Sequence, residues 1–381
     1  MTDRADVVVI GAGIIGASVT RELALRGVKV LLVDAAGVAR GTTGLGEGNV
    51  ILADKAPGPE LDLAILGQAI YDELAVRYGD AIGLRRKGCL VLHGTEDQLA
   101  AGARHAAEMR ARGVEADVVG REKLREHEPH VAPDLAGATF FPRDVQVDAA
   151  AVTRSLVGEA RDAGARFSAP RAVTAIRIVG ERVIGLSTDG GDIDTAAVVL
   201  AAGAWSAALA ATAGLHLPVV PRRGQLVRTE PRPDMVRRKL LDGSYAAGVV
   251  SDTGELIVST VLETASDGGV VVGSSREVRG FDTDPDERVT DAIMQRAERF
   301  LPGVRSLRVE RVWAGLRPFL PDHLPAIGPS SRVSGLWVAT GHEGAGIGLG
   351  PATGRVVAQL FCGEPPSVDV AAFAPDRFAT S

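Results

Sequence analysis

Two glycine clusters stand near opposite ends of this 381-residue chain, and a few ionisable residues accompany them. The first is Gly11-Ala12-Gly13-Ile14-Ile15-Gly16, with Asp34 eighteen positions after its last glycine. This is the spacing of a dinucleotide cradle. The first glycine permits a tight turn, the second lets backbone approach a pyrophosphate, and the third allows close packing of helix on strand. Free N–H groups at a helix start favour the phosphates, and an acidic residue at the next strand end can accept from ribose hydroxyls. The second cluster lies in Val338–Gly354, VATGHEGAGIGLGPATG, where His342 and Glu343 are the ionisable side chains. They could act as a catalytic pair, or the histidine could simply donate to a ligand carbonyl or to backbone. Arg317, in GLRP, could bind a carboxylate through two parallel hydrogen bonds. Read alone, it could equally form an ion pair at a domain boundary. Tyr245, in GSYAAG, is a candidate pocket residue.

The elements that would hold these residues are legible in outline. The apolar run Val7–Ile10 predicts a buried parallel strand, followed by a helix to about Arg26 and a second strand ending at Asp34. Helices are expected over 61–78, 96–112, 148–163 (capped by Asp148) and near 286–300. Short alternating runs between 219 and 320 predict an antiparallel sheet. A strand at GLWVAT leads through the late glycine loop to a last helix expected at about 351–361. The expected class is therefore α/β: a discontinuous Rossmann-type domain (1–84, 143–214 and 318–381) with an inserted, mainly antiparallel sheet domain (85–142 and 215–317).

Composition narrows the partners. The formal net charge of −6 provides no basic field for nucleic acid. Two distant cysteines, Cys89 and Cys362, make neither a disulfide framework nor a metal-binding pattern, and a reducing cytoplasm is expected. Residues 195–221 lack formal charge, but their glycines and prolines argue for a strand, turn and helix, not a membrane span. The runs Arg85-Arg86-Lys87 and Arg237-Arg238-Lys239 read as solvated charge. NAD and FAD share the first fingerprint. A further glycine loop at 40–50, carrying Thr42 and Thr43, favours FAD, whose length needs several wrapping loops.

Five pieces in this order resemble the D-amino-acid oxidase/glycine oxidase superfamily of FAD-dependent oxidoreductases: VVVIGAGIIGASVTRELALRGVKVLLVD, RGTTG, VVLAAGAWS, WAGLRPFLPDHLPAIG and ATGHEGAGIGLGPATG. The resemblance covers nearly the whole chain. In motif it is most similar to the catalytic flavoprotein subunits of opine and hydroxyproline or proline dehydrogenases and of hydrogen cyanide synthase.

The resemblance implies that Gly11, Gly13, Ile14, Ile15 and Gly16 hold the pyrophosphate, and that Asp34 and Ala35 line the ribose. It places Thr42, Thr43, Glu47, Gly48 and Asn49 at the phosphate and flavin region, and Val173 near the adenine. Gly203 and Trp205 would form a turn under the cofactor, and His342, Glu343, Gly344, Ala345, Gly346, Ile347 and Gly348 would run along the flavin. Arg317 would grip the substrate carboxylate. Glycine oxidases carry another basic residue in the late loop, which this chain lacks. The flavin-linking residues of covalent relatives are also missing, so the implied FAD is non-covalent. The implied substrate is a small amino or imino acid, with O2 or a partner redox protein as electron acceptor. A homo-oligomer or heteromeric complex would be compatible.

Overall fold

The computed structural model describes residues 5–245 and 254–378. Its first sheet has six strands in the order 326–329, 336–340, 198–200, 7–10, 30–33 and 166–168. All neighbours are parallel except the first pair. Val7–Ile10 is buried along its length, as a central strand covered on both faces must be. The helix Ile14–Leu25 packs on this sheet, against the helices Ala149–Asp162 and Gly346–Phe361. Asp148 caps the former, accepting from the Ala151 N–H at 2.8 Å.

The second sheet has eight strands in the order 309–319, 220–231, 269–278, 257–264, 239–242, 89–93, 137–141 and 117–120. It is antiparallel apart from the central pair 239–242 and 89–93. The amphipathic helix Glu287–Glu298 covers it, burying Val289, Ile293, Met294 and Ala297. A small three-stranded sheet, 173–179, 182–188 and 193–194, carries Val173. The uncharged stretch after 195 forms a short strand and a seven-residue helix, Ser206–Thr212. Among the described residues no helix is long and apolar enough to cross a membrane.

The last helix begins at Gly346, not near Pro351 as expected. Proline has no N–H, so at an interior position it leaves the carbonyl four residues earlier without its helical donor. Here that carbonyl belongs to Ile347, and the Tyr71 hydroxyl donates to it at 2.8 Å. Tyr71 comes from the helix Pro59–Tyr78. A tertiary hydrogen bond thus lets the helix pass through Pro351 and brings its start back toward the glycine loop.

Candidate active site

The first glycine turn is built from close backbone contacts. Gly11 has φ +103°, and a Cβ there would lie 2.4 Å from the Ala201 carbonyl oxygen. A Cβ on Gly16 would lie 1.8 Å from the Gly11 carbonyl oxygen. Only glycine fits either place. Asp34 fixes the loop: its carboxylate accepts from the Ala12 N–H at 2.7 Å and from the Ala36 and Gly37 N–H groups at 2.8 and 2.7 Å. Ala35 is exposed beside it. Thr43 joins from the second glycine loop, its hydroxyl accepting from the Ile14 N–H at 3.0 Å. Thr42 donates to the Leu316 carbonyl at 2.5 Å, tying this loop to the strand that carries Arg317. Trp205 is 48% exposed, stacks on Phe281 and lies over Gly41. Gly203 is joined to the late loop, its carbonyl accepting from Thr340 at 3.2 Å.

Residues 47–49 reach across to the larger sheet. Lys239 Nζ donates to Glu47 Oε2 at 3.1 Å and to Glu263 Oε2 at 3.0 Å, with its side chain only 4% exposed. Asn49 donates to the same Glu47 oxygen at 2.7 Å. The two basic runs are therefore not simply solvated. Lys239 is buried, and Arg85 and Lys87 donate to the Thr264 carbonyl at 2.8 and 3.1 Å. Strand geometry turns alternate side chains to opposite faces, so a run of charges divides between solvent and interior. A Cβ on Gly48, at φ +80°, would meet the Val147 carbonyl oxygen at 1.9 Å.

The late loop brings the remaining candidates together. His342 is buried, and its Nε2 lies 3.0 Å from the Thr353 hydroxyl, which itself donates to the Leu349 carbonyl at 2.9 Å. Nε2 therefore carries the proton, and Nδ1 is left as an acceptor. Burial pushes this histidine down to about 3, so it is neutral at ordinary pH. Glu343 adopts φ +45°, uncommon for a residue with a side chain. Its carboxylate accepts from the Gly344 N–H and faces three guanidinium groups, with Oε1 3.4 Å from Arg276, 3.8 Å from Arg222 and 3.9 Å from Arg317. Burial alone would raise this carboxyl, but Arg276, Arg317 and Arg222 hold it below its ordinary value.

Arg317 is 14% exposed and donates to the Ser275 carbonyl at 2.9 Å. Gly224, on the paired strand, leaves it room: a Cβ there would lie 2.0 Å from the Arg317 guanidinium. A small cavity beside these groups is lined by residues that include Asn49, Lys55, Tyr245, Gly344, Ala345 and Gly348. Arg317 packs within 3.6 Å of where a Cβ of Gly344 would be. Arg276 lies 4.6 Å over the Tyr245 ring. Lys55 is paired with Asp54 at 2.9 Å and Glu60 at 3.4 Å. Sequence reading missed Arg222, Arg276, Lys55 and the Lys239 network. Arg222 lies in register with Arg317 across a strand pair, a relation visible only once the strands are aligned.

A mainly parallel sheet with a glycine turn at the end of its first strand, and a buried charged cavity beside the late loop, point to a dinucleotide-dependent enzyme. The sequence matches the family described as FAD dependent oxidoreductase over residues 6–360, and the chain belongs to this D-amino-acid-oxidase-type family. It is 31% identical to a glycine oxidase of Pseudomonas aeruginosa, over 97% of this chain and 98% of that one. It is 29% identical to hydrogen cyanide synthase subunit HcnC of the same species, over 98% and 96% of the two chains. The solved structure of glycine oxidase from Geobacillus kaustophilus superposes with a TM-score of 0.88 at 30% identity, covering both chains completely.

The residues present fit FAD. The cradle admits no Cβ at Gly11 or Gly16, and the first-turn N–H groups of the helix have no intrahelical partners. Glu47 Oε1, Asn49 Oδ1 and His342 Nδ1 are buried and lack hydrogen-bond partners among the described residues. Such orphaned groups, strung between the cradle and the late loop, are what a long polar cofactor would satisfy.

Proposed function

We propose that this FAD-dependent oxidoreductase oxidises the Cα–N bond of a small amino or imino acid: glycine, an N-substituted glycine, a D-amino acid or a cyclic imino acid. The resulting C=N bond is hydrolysed by water to a carbonyl compound and an amine. The observation that carries this reading is the position of Arg317, tethered through Ser275 and packed against Gly344 at the wall of the cavity. A planar guanidinium in that place can hold the substrate carboxylate through paired hydrogen bonds.

FAD, held non-covalently in this reading, would supply the electron sink for this two-electron oxidation. Gly11, Gly13 and Gly16 with the N–H groups of Ile14 and Ile15 would hold its pyrophosphate, and Asp34 and Ala35 its ribose. Thr42, Thr43 and the run from Glu47 to Asn49 would serve the phosphate and flavin region, and Val173 the adenine end. Gly344, Ala345, Gly346, Ile347 and Gly348 would flank the ring with little side-chain bulk. Neutral His342 offers an acceptor at Nδ1 and no mobile proton. Glu343, kept ionised by its arginine neighbours, is placed to orient a substrate N–H. Tyr245 closes one wall and excludes water.

Anaerobic mixing with glycine, sarcosine, D-amino acids, proline isomers and opines tests the reading; at least one should bleach the flavin. Arg317→Ala should retain flavin and raise KM for the carboxylate substrate by about 10- to 100-fold, the worth of a charge-assisted hydrogen bond. Unchanged KM would remove Arg317 from substrate binding. A second reading, electron delivery to a partner protein, is favoured by the exposed stacked pair Trp205 and Phe281 beside the 41–49 loop. Full-rate turnover of the isolated chain with O2 would overturn it.

A further inference from the structure

The two basic runs of the sequence, 85–87 and 237–239, meet in the folded chain. Each leads into a strand, Cys89–His93 and Lys239–Asp242, and these strands are parallel neighbours in an otherwise antiparallel sheet. Parallel pairing places the residues before both strands at the same end of the sheet, where antiparallel pairing would send them to opposite ends. The Lys239 N–H donates to the Gly88 carbonyl at 3.1 Å, and the Arg238 guanidinium donates to the Lys87 carbonyl at 2.8 Å, 151 positions away. The result is an open cleft of about 400 Å³ lined by Arg86, Lys87, Glu126, His127, Arg237 and Arg238. None of these residues belongs to the cofactor or substrate machinery described above.

Charge in this cleft is poorly compensated. Arg86 is paired with Asp72 at 2.7 Å, but among the described residues Lys87, Arg237 and Arg238 form no ion pair. The buried carboxylate Glu128 is taken up by the backbone N–H groups of Arg237 and Arg238, and burial raises it to about 7. Glu126, which is exposed, is the one carboxylate in the lining. Burial pushes the Lys87 ammonium down to about 8 against the pull of Glu263, the response of a cation short of counter-charge. Arg238 lies 4.7 Å over the Phe140 ring, and His127 packs 5.3 Å from the same ring. A guanidinium stacked by its face keeps its edge for in-plane donation, and the Arg238 Nε is buried without a partner among the described residues.

We propose that this cleft is a binding site for a small phosphorylated molecule, whose phosphate is held by Lys87, Arg237 and Arg238. A phosphate monoester carries a charge of about −1.5 to −2 at pH 7 and three acceptor oxygens, so one group can take donors from three cations. A single carboxylate offers one charge and two oxygens and leaves part of that demand unmet. The volume lies within the usual range of small-molecule sites. The chain as a whole carries a formal charge of −6, which disfavours an extended polyanion and leaves a compact anion as the occupant.

The test uses FAD-loaded enzyme, so that the place of the cofactor's own diphosphate is filled. The probe is inorganic pyrophosphate, with tricarballylate as a tricarboxylate control. Titration calorimetry at fixed ionic strength should show saturable pyrophosphate binding, about tenfold or more tighter than that of tricarballylate. Arg237→Gln and Arg238→Gln should each weaken pyrophosphate by about tenfold or more, the worth of a charge-assisted hydrogen bond. The Arg237 side chain makes no hydrogen bond among the described residues, so Arg237→Gln should keep the flavin content and unfolding midpoint of the wild type. Absence of saturable pyrophosphate binding by the wild-type enzyme overturns the inference whether or not the variants fold. Binding undiminished in both variants also overturns it, because the anion then sits elsewhere. Tricarballylate bound as tightly as pyrophosphate overturns the assignment to phosphate.

Discussion

At the residue scale the site is governed by which charges are buried together. His342 is held neutral by burial, with its proton committed to Thr353. Its folded-state value of about 3 lies below the ordinary 6.5, so between these two values the unfolded chain takes up a proton that the folded chain refuses. Stability present above pH 6.5 is therefore lost as pH falls toward 3, by about 1.4 kcal/mol per pH unit. His93, pushed down to about 4 by burial, acts in the same direction. Asp144, raised to about 8 by burial, acts oppositely and loses stability as pH rises. The contribution of His342 is isolated by difference. Denaturant unfolding at pH 7 and pH 4.5 should show wild type losing about 2 kcal/mol more than His342→Asn. An equal loss in both proteins would mean that His342 is not a buried neutral group.

At the element scale the late helix depends on a partner from another helix. Its run through Pro351 leaves the Ile347 carbonyl to Tyr71, and its packing on the first helix needs small residues. A Cβ on Gly354 would lie 2.5 Å from the backbone of Ser18, and one on Gly350 would lie 2.9 Å from the Ile14 side chain. The start of the last helix is thereby pressed against the helix that follows the first glycine turn. Tyr71→Phe keeps the ring and removes the donor, so it should cost about 1–3 kcal/mol, the penalty of an unpaired buried carbonyl. Thermal unfolding of the flavin-loaded variant measures this, and an unchanged Tm would show that Pro351 is accommodated in another way. The start of the last helix was misplaced from sequence for this same reason. Proline reads locally as a helix beginning, and the hydroxyl that lets the helix extend lies 276 positions away.

At the scale of the whole molecule, the Lys239–Glu47–Glu263 network ties the 47–49 loop to the larger sheet. Removing the cation leaves two buried carboxylates facing each other. Lys239→Met should cost about 3–5 kcal/mol and weaken flavin retention. Flavin-to-protein absorbance after gel filtration, with a denaturation midpoint, checks both effects. Retained flavin at an unaltered midpoint would show that the network does not hold the 47–49 loop in place.

The sequence alone determined the first glycine turn and the elements around it, because their geometry is local. Gly11, Gly13, Gly16 and Asp34 belong to one strand–turn–helix–strand unit whose geometry is fixed by backbone sterics over about thirty residues. It also determined the alternation of buried strands with helices, and the family resemblance that rests on motif order. Only the tertiary structure decided what surrounds the late loop. Arg222, Arg276 and Arg317 lie on three strands whose pairing brings them to one carboxylate, and nothing in the sequence next to Arg276 marks it for that place. A charged run likewise does not announce which member turns inward, as Lys239 does. Strand register is a non-local property, set by which faces can be buried together, and the charge pattern of this site follows from it.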